Sequence, residues 1–270
     1  MNDYCDPAKI ARKLGISTLP FSPTSPIGEK EIRMIGEAGI NRVEICGLRP
    51  RSHYDYHDRH QIEEVKRACR KHGVSIVSMH GPNMMYSTDH ELERAASVKE
   101  AVHSAKIAAE LGAGVFVAHF GTDAFSEKTV REMLEALDGT RIRLAVENGQ
   151  SLPEFTRFVD AIGSDRFGMA VDIGHTRDAD GVNPFVKRES ARRTLSQCGS
   201  RLIHVHLHDF TERDHYPPFA GHIQWGEVFA ALADVGYEDE LMFEAAFPSV
   251  EEVLTATSSF PAAFVERYCG

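Results

Sequence analysis

Residues 204–209 read "HVHLHD". Side chains on a β-strand alternate between faces, so His204, His206 and His208 share one face and Val205 and Leu207 the other. A lone buried histidine is usually a packed, hydrogen-bonded residue. Three in register are harder to absorb into a core, because each ring needs a partner for both nitrogens. Other short apolar runs end in the same kind of chemistry. Glu44 stands in "RVEIC", His80 in "SMHGP", His119 in "VAHFG" and Glu147 in "AVENG". Asp172 and His175 stand in "VDIGH", Asp209 follows the three histidines, and Glu244 stands in "MFEAA". A single carboxylate of this kind reads equally well as a salt-bridge partner or a helix cap. Convergence changes that reading. Two like charges about 4 Å apart repel by roughly 4 kcal/mol at an effective dielectric of about 20. Glu147, Asp172 and Glu244 brought together would therefore take up protons unless a cation offset them. Carboxylates with imidazole suit Zn²⁺, Mn²⁺, Co²⁺ or Fe²⁺.

The elements that must position these groups are legible as alternation. The apolar runs are "KLGIST", "RVEIC", "VSIVSMHGP", "GVFVAHFG", "IRLAVENG", "FGMAVDIGH", "RLIHVHLHD" and "ELMFEAA". Amphipathic segments such as "EKEIRMIGEAG", "QIEEVKRACRKHG" and "ELERAASVKEAVHSAKIAAELG" lie between them, many ending in Gly, a helix C-terminal signal. Strand and helix repeated in this way predict a parallel sheet. Eight such units predict a closed (β/α)₈ barrel, a single domain over residues 1–270. An open doubly wound sheet is the alternative, but no G-x-G-x-x-G follows the first strand and no P-loop is present. In a barrel the C-terminal strand ends build the active site, and that is where the polar residues fall. The Pro/Ser-rich "LPFSPTSPIG" reads as the first βα loop.

Composition narrows the function classes. The chain has 270 residues, 42% of them hydrophobic, with 30 Lys and Arg against 40 Asp and Glu and a formal net charge of −10. No basic run resembles a nucleic-acid footprint, so no nucleic-acid partner is expected. The five cysteines, Cys5, Cys46, Cys69, Cys198 and Cys269, are odd in number and scattered, which predicts free thiols in a reducing compartment. The start lacks an apolar leader core, and no apolar run approaches the ~18 residues of a membrane span. The expected location is the cytoplasm, with no membrane partner.

The ordered run "ENG … VDIGH … HVHLHD … FEAAF" resembles the xylose-isomerase-like TIM-barrel superfamily, which includes sugar and sugar-acid isomerases, ketose 3-epimerases and endonuclease IV. The resemblance spans essentially all eight units. "HYPPFAGHIQWGEVFAAL" is similar to that family's segment after strand 7. The resemblance implies a four-ligand metal site from Glu147, Asp172, His206 and Glu244, holding one divalent ion (Mn, Zn, Co or Mg), with His175 in the adjacent substrate pocket. It places His208 higher on the rim, near substrate or behind a ligand, and His204 deeper, as a packed residue.

Two mechanisms can use such a site. In an isomerase or epimerase of a keto-sugar or sugar-acid-like substrate, Glu147 and Glu244 act as base and acid and His175 binds or polarises a substrate oxygen. His80, His119, His208 and His215 are the further substrate-binding candidates. In the endonuclease IV reading, a zinc phosphodiesterase, His80 and His119 add a second metal position. A third would use His175 and His215, but Arg213 stands where that family's pattern has Asp, with Asp214 out of register. Net charge favours the isomerase. A non-catalytic sugar-binding barrel is the third class, and homo-oligomerisation is open. Arg49, Arg51, His53 and Tyr54, after strand 2, are either contacts to a hydroxyl-rich or phosphorylated ligand or a solvated loop. Tyr86 and Trp225 supply an apolar wall or simply pack, and Cys46 packs.

Overall fold

Each apolar run becomes a strand, because its alternate side chains can be covered on both faces at once, inside and outside a barrel. The computed structural model describes residues 3–22, 25–48, 52–147 and 152–270. In chain order the elements are α1 (Pro7–Lys13), β1 (Leu14–Ser17), α2 (Glu29–Glu37), β2 (Arg42–Cys46), α3 (Arg59–His72) and β3 (Ser75–His80). They continue with α4 (Glu91–Leu111), β4 (Val115–Ala118), α5 (Ala124–Ala136), β5 (Arg143–Glu147), α6 (Leu152–Ile162) and β6 (Phe167–Asp172). The last are α7 (Ala191–Ser196), β7 (Leu202–Leu207), α8 (Trp225–Asp234), β8 (Leu241–Phe243) and α9 (Val250–Tyr268). All strands are parallel and close in sequence order, with β8 pairing back onto β1. The chain is thus a (β/α)₈ barrel, as the alternation predicts.

Local signals explain where helices start and stop. Asp58 accepts from the His60 and Gln61 amides at the start of α3, and Ser249 from Glu252 at the start of α9. Gly73 ends α3 at φ +67° and Gly112 ends α4 at φ +114°, conformations that favour glycine. The short α7, the N-terminal α1 and the long α9 lie outside the helical segments the sequence pattern picks out. The outward strand residues pack on the helices in the main core. Small and branched inward residues, Val115, Val117, Ala145, Ala170 and Ile203, form a separate plug inside the barrel. Below it, Arg42 pairs with Glu240 at 2.9 Å and Arg143 with Asp239 at 2.8 Å.

The expectation of five free thiols is corrected. Cys5 and Cys269 form a disulfide with Cα atoms 5.5 Å apart, while Cys46, Cys69 and Cys198 are buried thiols. The cause is spatial: α1 packs on α9, and so the two cysteines meet across 264 positions of sequence. Among the described residues no helix is long and apolar enough to cross a membrane.

Candidate metal centre

The strand register assembles the site. His80, Glu147 and Asp172 are the last residues of β3, β5 and β6, and Glu244 directly follows β8. Asp172 and His206 are direct partners across β6 and β7. The Glu244 amide donates to Leu207 O at 3.1 Å, which sets Glu244 beside His206. Ligand atoms of Glu147, Asp172, His206 and Glu244 all lie within 4.8 Å of one another, and all four side chains are buried. His206 Nδ1 is 2.6 Å from Glu147 Oε1 and 3.4 Å from Glu244 Oε2. Three buried carboxylates on one imidazole form a donor set that fits a divalent cation in charge and in chemistry.

Two histidine groups flank this set. On one side His80 and His119 each place Nε2 3.1 Å from Glu147 Oε2. On the other, His175 Nδ1 and His208 Nε2 each lie 2.9 Å from an Asp172 oxygen. His208 is fully buried rather than on the rim, and of the two expected places it takes the one behind a ligand, backing Asp172. Its ring fits only because residue 174 is glycine; a Cβ there would fall within the imidazole. His215 takes φ +60°, stacks on His208 with centroids 4.5 Å apart, and donates its amide to His208 Nδ1 at 3.1 Å. Asp214, out of register by sequence, nonetheless reaches His175 Nε2 at 3.1 Å and His215 Nδ1 at 3.0 Å. Arg213 turns away onto the Phe247 ring.

Other candidates resolve into scaffold. Asp209 is buried and accepts from the Phe210 and His222 amides and from Trp225 Nε1–H, each at 2.9 Å, anchoring the segment after β7. Tyr86 packs on Phe120. His53 is buried, with Nδ1 2.8 Å from Ser25 O and Nε2 2.9 Å from Thr18 Oγ1, and Tyr54 is buried too, so neither belongs to a solvated loop. Arg49 and Arg51 lie outside the described residues. The sequence reading named Glu44 but gave it no role, and it passed over Gly174. The signal for the glycine was the tight spacing of Asp172 and His175 around it in "VDIGH".

Electrostatics separates the carboxylates. Burial pushes Glu147 up, but His206 and His80 beside it prevail and hold it below the ordinary carboxylate range. Asp172 is likewise raised by burial yet held well down by His208 and His175. In Glu44 burial is again overcome, by His206 and His204. Glu244 goes the other way: burial dominates, Glu147 adds to it against His206, and the group rises to about 7. Burial lowers His80 and His175, but Glu147 lifts the first to about 9 and Asp172 with Asp214 lifts the second to about 10.

A stability profile follows for the metal-free protein. The depressed carboxylates stabilise the fold in full above their unfolded pKa values of about 4, and that contribution fades as pH falls. The raised histidines stabilise in full below about 6.5, and their contribution is lost as pH rises through the folded values. Glu244 adds to the alkaline loss, because its preference for the protonated form disappears on passing its raised pKa. The melting temperature of chelator-treated protein should peak near pH ~5–6 and fall toward both ~3 and ~10. A melting temperature that climbs steadily from pH 6 to 10 would contradict this electrostatic account.

Comparison with known proteins places the chain among barrels of this kind. The family described as xylose isomerase-like TIM barrel matches residues 32–258. An uncharacterized protein of Methanocaldococcus jannaschii is 27% identical over 256 residues, covering 86% of this chain and 83% of that one. The crystal structure of a D-tagatose 3-epimerase-like protein superposes with a TM-score of 0.75 at 22% identity, covering 94% of this chain and 98% of its own. The IolI protein, crystallised with a bound zinc atom, superposes with a TM-score of 0.74 at 17% identity, covering 95% and 99%.

Proposed function

Because the chain belongs to the xylose isomerase-like TIM-barrel family, we propose that it is a divalent-metal-dependent isomerase or epimerase of a keto-sugar or sugar-acid-like small molecule, working by proton transfer through an enediolate. The observation that carries this reading is the approach of two buried glutamates to one imidazole, Glu147 and Glu244 at His206 Nδ1, inside a set whose four ligand atoms lie within 4.8 Å of one another. The sugar-epimerase likeness and the zinc in IolI support it.

Glu147, Asp172, His206 and Glu244 would hold the ion. When bound, a divalent ion supplies Lewis acidity toward the carbonyl and hydroxyl oxygens of such a substrate. The chain's own residues move the proton. Glu147, kept ionised, accepts it from the carbon next to the carbonyl. Glu244, which approaches the same ring nitrogen of His206 as Glu147 does, returns one to the substrate. His175, about one-third exposed, would meet a substrate oxygen by exchanging its Nε2 contact with the half-exposed Asp214 for it, with His119 and His215 lining the opening beside it. His80 orients Glu147 from within, as His208 orients Asp172.

One observation favours a second reading, an endonuclease IV-like zinc phosphodiesterase. His80, His119 and Glu147 form a further set that could hold a second ion, as do His175, His208 and His215 for another. A net charge of −10 weighs against a duplex partner. Two measurements separate the readings. Ketoses and hydroxy-keto acids incubated in D₂O with metal-loaded protein should acquire deuterium at the carbon beside the carbonyl, seen by NMR. The same protein should leave an abasic duplex intact. Metal-dependent nicking without exchange on any sugar would replace the isomerase reading with the phosphodiesterase. Sugar binding without exchange would leave only a binding barrel.

A further inference from the structure

Beneath the four-ligand set lies a second buried cluster that the proposed chemistry does not use: Glu44, Ser78 and His204. One oxygen of Glu44 is well held. Ser78 Oγ donates to Oε2 at 2.7 Å, and His204 Nε2 meets the same atom at 2.9 Å. The other oxygen, Oε1, lies 3.0 Å from His206 Nε2, off the line of the ring's N–H. Among the described residues neither of these two buried atoms has an aligned hydrogen bond. Two polar atoms in contact and buried inside the barrel without an aligned partner are a pair awaiting completion, since buried polar groups are otherwise satisfied. The misalignment has a visible source: the opposite side of the ring, Nδ1, is drawn to Glu147 at 2.6 Å.

A histidine that binds a cation through Nδ1 must carry its proton on Nε2, and that proton needs an acceptor that fixes tautomer and ring orientation. Glu44 Oε1 is the acceptor within reach. We propose that Glu44 is the positioning residue of the metal centre. Its carboxylate, steadied by Ser78 and His204, receives the Nε2–H of His206 and turns the Nδ1 lone pair toward Glu147, Asp172 and Glu244. The inference rests on the metal-centre reading above. It also gives His204 a reason to sit two residues below the ligand: the pair shares one carboxylate.

The test is metal affinity of the full chain, measured by competition of Zn²⁺ or Mn²⁺ with a chelator, together with ¹⁵N spectra of labelled histidines. Glu44→Gln keeps the shape and removes the charge. It should weaken binding roughly 10–100-fold and shift the His206 Nε2–H signal away from its hydrogen-bonded position. His204→Gln can still donate to Glu44 and should stay within about threefold of wild type; a loss as large as that of Glu44→Gln would show that packing of the pair, not the Glu44–His206 contact, sets the affinity, and would overturn the proposal. If Glu44→Gln does not fold, Ser78→Ala, which removes only one anchor of the carboxylate, should weaken binding by about threefold or more. Unchanged affinity in Glu44→Gln, or in Ser78→Ala as its substitute, would overturn the proposal. Should wild type take up no ion, the metal reading fails by itself. Glu44 is then judged on the metal-free spectra: a His206 Nε2–H signal that moves in Glu44→Gln supports its hold on the ring, and identical spectra overturn it.

Discussion

Exhaustive chelation of the purified protein is expected to abolish deuterium exchange into substrate and to lower the melting temperature by roughly 8–16 °C. The figure comes from linkage. An ion present at about a thousand times its Kd stabilises the native state by about 4 kcal/mol, and a chain of this size shifts by ~2–4 °C per kcal/mol. The structural cause is the concentration of Glu147, Asp172 and Glu244 in a space where none of them is exposed to water. Without a cation the centre relies on neighbouring imidazoles and on a proton at Glu244. Re-addition of Mn²⁺, Zn²⁺, Co²⁺ or Mg²⁺ should restore both signals. A melting curve indifferent to chelator and to every one of these ions would remove the metal centre, and the proposed reaction with it.

Glu147→Gln and Glu244→Gln should each lose on the order of 10²–10⁴ in turnover at saturating metal, the usual worth of general acid–base help. Glutamine keeps the volume of either side chain and deletes its ability to hold or release the proton. The two losses should differ in kind. Glu147 also faces His80, His119 and His206, so its amide leaves three imidazoles without their carboxylate and should disturb metal binding more. Glu244 touches fewer partners, and its variant should bind metal more nearly as wild type does while exchange stops. Deuterium incorporation that continues undiminished in both variants would show that other groups carry the proton.

The strands were legible because a barrel interior demands apolar runs, and the site because polar residues collected at one end of them. Strand register then did what spacing alone promised: Asp172 and His206 meet as direct partners. Depth along the barrel axis was not legible. Alternation put His204, His206 and His208 on one face but could not rank their burial, so it left open whether His208 meets substrate or backs a ligand; it lies sealed against Asp172. Nor could it show that Glu44, distant in sequence, faces two of the three histidines. Asp214 was discounted on register, yet a left-handed backbone at His215 brings it back to the cluster. Short-range pattern carries periodicity; it does not carry the path of a loop.

The Cys5–Cys269 bond makes a covalent ring of nearly the whole chain. That changes what is near and what is far. The seam between β1 and β8 joins the first strand to the last, and along the backbone it is the longest-range pairing in the sheet. Measured around the ring through the bond, Leu14 and Leu241 are separated by a span like that between consecutive strands elsewhere in the barrel, with α1 and α9 lying within it. The entropy of closing the barrel is then largely carried by the cross-link, in the unfolded chain as well as the folded one. The seam where the two ends meet is thereby tied as closely along the covalent ring as the seams between consecutive strands.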